Sequence, residues 1–397
     1  MKRHILLTTS LLLAISVQVL SQNVWTQKTN FPGAARYHAA AFAIGSKLYV
    51  GTGWNNSTYY NDFYEYDPIT DTWTQKANFP GVARYATAGF SIGNKGYVGC
   101  GRVGNTYYND FYEYDPSTDA WTQKTNFPGL GRHHPIGFGI GTLGYMGLGQ
   151  RSSTLYDDWY EYNPSTDIWT QKTNYAGTAR HAAVSFTIGT DGYVGCGYIG
   201  TGYTNDFWKY NSTNDTWTQI ANYSGSGREH NIGFAIGGLG YVGTGYSGSA
   251  DTKDFWEYDP VGNSWTQKAD FGGTIREGAV AVSIGTSGYV ATGWDGTNKN
   301  DLWEYSTVSS VTEIFNSSAL NIFPNPSTGE INIQYLPTNA ISSEITITDL
   351  TGKKLISIHW NDKEKTMKLK TNLNAGIYFL TVKSNNQSNS YKIFIKD

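Results

Sequence analysis

Apolar and polar residues alternate in short runs along most of the chain, and clusters of Gly, Pro, Asn and Asp separate the runs. From residue 25 onward this pattern repeats. Tryptophans stand at Trp25, Trp73, Trp121, Trp169, Trp217 and Trp265, each 48 residues after the one before. A fixed period of this size with strand-like content predicts a propeller. Each unit contains four strand-like runs, which in the first unit are residues 23–28 around Trp25, 37–44, 48–53 and 62–66. In the second run Ala39, Ala41 and Ala43 alternate with His38, Phe42 and Ile44, the period of a strand. Asp67-Pro68 and Thr70-Asp71 turn the chain back to the next Trp. Four short antiparallel strands make one blade. The array opens on a lone Trp strand and ends after Asp301-Leu302-Trp303-Glu304-Tyr305 without one. Residues 23–28 are therefore expected to supply the last blade's outer strand, closing a ring of six and covering its sheet edges.

After Tyr305 the period stops. A Ser/Thr-rich stretch leads to further alternating runs, among them residues 321–335, 345–349, 355–359, 376–384 and 391–397. Runs of this kind, broken by Pro, Asn and Gly, predict a small β-sandwich. At the other end Lys2, Arg3 and His4 precede an apolar stretch, 5–20, softened by Thr8, Thr9 and Ser10; Val19 and Ser21 suit a cleavage site. This is the pattern of a secretory signal cut after Ser21. The alternative is a membrane anchor, for which the apolar core is short and interrupted. No later segment is long and apolar enough to span a bilayer, so no membrane span is expected in the mature chain.

Composition sharpens this picture. Charged residues are only 15%, aromatics 15%, and there are 46 glycines, which suits tightly turned antiparallel sheet. A net charge of -3 gives no footprint for nucleic acid. The two cysteines, Cys100 and Cys196, occupy equivalent strand positions in blades two apart. They are expected to be small buried residues, too distant for a disulfide.

The repeats resemble the kelch family. The resemblance rests on the Arg before the second run, on Tyr49-Val50 ahead of Gly53, on Asn61-Asp62, on Tyr66-Asp67-Pro68 and on Trp73. It departs from the family in having Gly-x-Gly, as at Gly51 and Gly53, where kelch repeats carry adjacent glycines. The tail resembles the C-terminal sorting domain of the type IX secretion system of Bacteroidota, through Phe323-Pro324-Asn325-Pro326, Gly329, Asp349-Leu350-Thr351-Gly352 and Gly376-Ile377-Tyr378. A plain accessory β-domain, for example a carbohydrate-binding one, is the alternative for the tail. The expected architecture is all-β: a signal peptide (1–21), a six-bladed kelch-type propeller closed by its N-terminal strand (22–308), a linker (309–320) and the sorting β-sandwich (321–397). The resemblance implies a secreted or outer-membrane-surface protein that passes through the periplasm and meets the type IX machinery through its tail.

Propellers bind ligands where loops from every blade converge on the axis. Arg36, Arg84, Arg132, Arg180, Arg228 and Arg276 recur there and could ring the mouth with planar donors for acidic groups. Asp62, Asp110, Asp158, Asp206, Asp254 and Asp301 recur as well. Repetition in every blade favours pairing with them for most of the ring. The next two positions vary: Tyr37-His38, Tyr85-Ala86, His133-His134, His181-Ala182, Glu229-His230 and Glu277-Gly278. Tyr37, Tyr85, His133 and His181 are candidate ligand contacts, together with Tyr107 and Tyr108 in a polar loop. Trp54 and Trp294 are expected to pack between blades. His38, His134 and His230 form a set that zinc or copper could use. Each shares its strand face with Phe42, Phe138 or Phe234, so packing between blades is the expectation, with no metal and no cofactor. Glu229 and Glu277 are the candidates for acid and base. Kelch-like propellers include enzymes, galactose oxidase and a sialic acid epimerase among them. Three readings stand: a binding module for an extracellular glycan or protein, a carbohydrate-active enzyme at the same mouth, and a scaffold without a pocket.

Overall fold

A computed structural model describes residues 24–307, 320–335, 343–349, 352–360, 366–384 and 387–396. The expected signal segment lies outside the described residues, as does the expected linker up to residue 319. The chain divides into two compact units, Met1–Val308 and Ser309–Asp397.

The first unit contains six four-stranded antiparallel sheets. In the first blade these are β2 (Ala40–Ile44), β3 (Lys47–Gly51), β4 (Phe63–Asp67) and β5 (Thr72–Lys76), in that order from the axis outward. The N-terminal strand β1 (Val24–Lys28) pairs with Leu302–Ser306, placing Trp25 opposite Tyr305 as the outer strand of the last sheet. Innermost strands pack side by side around the axis, and Val280–Ile284 meets Ala40–Ile44 where the chain ends join.

A matched pair of residue types sets the spacing between neighbouring blades. Phe42 projects from β2 into the next blade, where Gly96 stands; a Cβ at Gly96 would lie 2.2 Å from the Phe42 ring. The same fit recurs with Phe138 on Gly192 and Phe234 on Gly288. At the join between the last and first blades Val282 takes the Phe position and Leu48 takes the Gly position. They pack in one cluster with Tyr66, Tyr289 and Leu302. The volume lost on one side is restored on the other, as a close-packed interior requires.

The expected second run begins later than predicted, at Ala40. His38 has φ 50, and its equivalents Ala86, His134, Ala182, His230 and Gly278 lie between +49° and +60°. This left-handed turn breaks the strand. It also points each backbone N–H at the carbonyl of the preceding blade: His38 to Gly278, Ala86 to His38, His134 to Ala86, Ala182 to His134, His230 to Ala182 and Gly278 to His230, at 2.8–3.4 Å. The six bonds form a closed circle around the axis.

The second unit is a β-sandwich. A three-stranded sheet, Leu320–Phe323, Glu330–Tyr335 and Thr366–Lys370, faces a four-stranded one, Lys354–Trp360, Ser343–Thr348, Gly376–Ser384 and Gln387–Ile395. Ile331, Ile333, Ile345, Ile347, Leu380 and Ile393 fill the space between them. Strand pairing already starts at Leu320, inside the expected linker. Among the described residues no helix is long and apolar enough to cross a membrane.

Candidate functional site at the propeller mouth

The six arginines are buried and paired within their own blades, the role favoured above for most of the ring, and do not stand as free guanidiniums at the mouth. Arg36, Arg84, Arg132, Arg180, Arg228 and Arg276 are at most 2% exposed. Each holds the Asp of its own blade in a two-pronged pair: Asp62, Asp110, Asp158, Asp206, Asp254 and Asp301. The outer prong, Nη2 to Oδ2, measures 2.7–2.9 Å. Nη1 also donates to the carbonyl of Thr52, Cys100, Leu148, Cys196, Thr244 or Thr292 at 2.9–3.1 Å. Those six residues all have φ between +56° and +64°, which is costly for a side-chain-bearing residue and persists only where neighbours enforce it. The guanidinium is that enforcement. Tyr108, expected to be an exposed contact, lies beneath Arg84 at 3.9 Å from its guanidinium carbon. Tyr60 and Tyr156 do the same for Arg36 and Arg132. Both cysteines are buried and free.

The variable positions do meet at the mouth. Tyr37, Tyr85, His133, His181, Glu229 and Glu277 each form a bridge with a residue after the glycine strand: Trp54, Arg102, Gln150, Tyr198, Tyr246 and Trp294. Across the last, first and second blades runs an aromatic arc. Trp294 lies 5.7 Å from Tyr37, Tyr37 5.6 Å from Trp54, and Trp54 5.2 Å from Tyr85. Tyr59 stacks on Trp54 at 5.8 Å and 15°. Trp54 and Trp294 are half-buried, and each packs on a ring of the next blade, Tyr85 or Tyr37, as expected, while also forming part of this arc. The third, fourth and fifth blades carry His133, His181 and Glu229. Tyr107 stacks on His133 at 5.7 Å.

At the centre lie His38, His134 and His230. Their expected packing between blades is overturned: ring centroids are 4.3–4.7 Å apart. The left-handed turn at each residue takes the side chain off the strand face and aims it at the axis. Glu277 Oε2 is 2.8 Å from His230 Nδ1, and Glu229 Oε2 is 3.6 Å from His181 Nε2. His133 Nδ1 and His134 Nδ1 are 2.8 Å apart. Nitrogen or oxygen atoms of three sets lie close enough to share a cation: His38, His134 and His230; His133, His134 and His181; and His181, Glu229 and His230.

Burial dominates the electrostatics. It holds His38 and His134 well below the ordinary imidazole range, helped by repulsion from the other histidines. Burial and then the nearby charges bring His133 and His181 down to about 3. For His230 burial works the same way, but Glu229 and Glu277 outweigh it and raise the group. Burial and Glu277 raise Glu229 against the pull of His230. Burial, Glu277 and Asp295 push Asp251 up to about 6. Asp251 can therefore exchange a proton close to neutral pH, and the neutral imidazoles of His133 and His181 can accept hydrogen bonds from hydroxyls. Sequence reasoning missed Arg102 and Asp251. Their signal was departure from the repeat: Arg102 stands where other blades have Trp54 or Tyr198, and Asp251 where they have Tyr59 or Tyr203.

Comparison with known proteins agrees with this architecture. Residues 8–179 match the KLHDC2/KLHL20/DRC7 Kelch-repeats domain. Residues 321–396 match the secretion system C-terminal sorting domain. Among solved structures, YjhT is similar over 70% of this chain and 95% of its own, with a TM-score of 0.60 and 14% identity, a likeness of fold alone. No curated protein matches. The sorting domain gives the chain its partner in the secretion machinery and its destination, the cell surface or the medium. The chain thus joins a propeller of kelch-type fold to a segment that matches the secretion-system C-terminal sorting domain.

Proposed function

We propose that this secreted or cell-surface protein is a binding module whose propeller mouth holds a glycan. The observation that carries this is the aromatic arc Trp294–Tyr37–Trp54–Tyr85 across three blades, with the imidazoles and carboxylates of His133, His181, Glu229 and Glu277 completing the same ring. Flat rings accept the C–H face of a sugar, while Glu229, Glu277, Asp251 and His133 suit its hydroxyls.

The test is a glycan array probed with the full chain beside a Tyr37→Ala/Trp54→Ala double variant. Each ring contact contributes about 0.5–1.5 kcal/mol, so losing two weakens binding by about 5–150-fold. A folded wild-type chain that retains no glycan sinks this reading and moves the weight to an extracellular protein ligand.

A carbohydrate-active enzyme at the same mouth is a second reading, favoured by one feature. Glu229 is half-buried and held above the ordinary carboxylate range by burial and Glu277, and its Oε2 has no hydrogen-bond partner. A general acid has this character. Turnover of the bound sugar that disappears in Glu229→Gln supports the enzyme; binding without turnover leaves the module.

A further inference from the structure

We propose that His38, His134 and His230 together bind one divalent transition-metal ion, of the zinc or copper class, on the propeller axis.

The ring of axial residues reads His38, Ala86, His134, Ala182, His230, Gly278. Large and small alternate, so three imidazoles from every second blade share a space that six could not. The small members are needed. A Cβ at Gly278 would stand 2.8 Å from both Cε1 and Nδ1 of His38. The backbone beneath is fixed by the closed circle of six hydrogen bonds, so the three side chains are presented from a rigid frame.

The nitrogens are arranged as ligands are. One ring nitrogen from each histidine lies within 4.8 Å of the other two. Tetrahedral zinc at about 2.0–2.1 Å from each nitrogen would hold them roughly 3.4 Å apart. His230 uses Nδ1 on Glu277 and His134 uses Nδ1 on His133, both at 2.8 Å. Their Nε2 atoms are buried and have no partner. One nitrogen held by a neighbour and the other left bare is the pattern of a metal-bound histidine, and a carboxylate behind the ring strengthens the ligand. Packing alone does not explain bare buried nitrogens, because polar atoms taken from water are ordinarily satisfied. A cavity of about 150 Å³ is lined by the three histidines with Thr87 and Asn231, leaving room for water as a fourth ligand. The other two candidate sets each share one residue with this trio, His134 or His230, so one ion excludes the neighbouring positions.

This inference is independent of the glycan reading and survives its failure. The test uses the full chain, purified without a histidine tag, stripped with a chelator and titrated with cobalt(II). Zinc affinity is then measured against a chromophoric chelator. The expected result is one ion per chain, with visible absorption of a four-coordinate nitrogen site. His38→Asn should abolish it, since Asn accepts the left-handed backbone at this position, and near-ultraviolet circular dichroism reports whether the fold is kept. Glu277→Gln should weaken binding by about 10–100-fold. His359→Ala, in the tail, should leave it unchanged. Absence of stoichiometric binding overturns the proposal. So does binding that persists in a folded His38→Asn chain, or that is lost in His181→Ala but not in His38→Asn.

Discussion

Replacing Arg84 tests whether the arginine ring is a strut or a ligand site. Arg84 is fully buried, and its partner Asp110 keeps 18% of its side-chain surface. The guanidinium holds Asp110 by two prongs, donates to the Cys100 carbonyl at 3.1 Å and, through Nε, to the Val82 carbonyl at 2.8 Å. It also lies 3.9 Å above the Tyr108 ring. Arg84→Ala strands a partly buried carboxylate, which costs about 3–5 kcal/mol, the low end applying because water reaches Asp110. The two carbonyls add about 1 kcal/mol each, and the lost contact with Tyr108 about 0.5–1 kcal/mol. The expected loss is about 6 kcal/mol, against a usual total of about 5–15 kcal/mol. Arg84→Lys keeps the charge but not the fork, so it should lose less. Urea unfolding followed by tryptophan fluorescence measures both. A double-mutant cycle with Asp110→Asn should return a coupling of at least about 2 kcal/mol, because the two groups share one network. An Arg84→Ala chain with stability within about 1 kcal/mol of wild type would refute the strut. Loss of glycan binding in that same stable variant would restore the ligand role.

Two further outcomes follow from buried groups. Burial alone would raise the Asp206 carboxyl, but bonds from Arg180, Thr204 and Trp208 outweigh it and hold the group below the ordinary range. Asp254 and Asp301 behave alike. A carboxyl depressed by folding contributes stability that is complete above its unfolded value, about 3.9, and is lost as pH falls through the folded value. Urea midpoints should therefore decline below about pH 4, less steeply in Asp206→Asn; a flat profile down to about pH 2 contradicts the pairing. Burial pushes the thiols of Cys100 and Cys196 up to about 12. Neither should react with a chromogenic disulfide at pH 8 in the native chain, and both should appear together on unfolding. Rapid labelling of the native protein would contradict their burial.

Much of the frame was legible because every blade meets the same packing problem and answers it alike. Trp at 48-residue spacing marked the outer strand, alternation marked the others, and the joint recurrence of Arg and Asp pointed to their pairing. The axial histidines were not legible. Strand alternation was extended back through residue 38, which put His38 on the face of Phe42. The chain turns left-handed there, and neither His nor Ala announces such a turn. Only Gly278, at the same position in the last blade, tolerates that conformation without strain. One glycine in six equivalent positions was the available hint.

Positions that differ between blades fall into two kinds, and the difference has a physical basis. Leu48 and Val282 depart from the Gly and Phe of the other blades, but they depart together and refill one interface. The same holds where Trp208, Trp256 and Trp303 replace Tyr64, Tyr112 and Tyr160, since each indole N–H then donates to the Asp of its own Arg–Asp pair. Compensated changes of this kind preserve the frame. At the mouth no such pairing operates: Tyr37, Tyr85, His133, His181, Glu229 and Glu277 occupy equivalent sites with unlike chemistry. A six-fold frame has no structural reason to carry Tyr at two of these six equivalent sites and His or Glu at the other four. That asymmetry is what the proposed glycan, held off the symmetry of the ring, would require. The alternation of histidine with small residues one position deeper is a different demand, three-fold and centred, and it fits an ion on the axis.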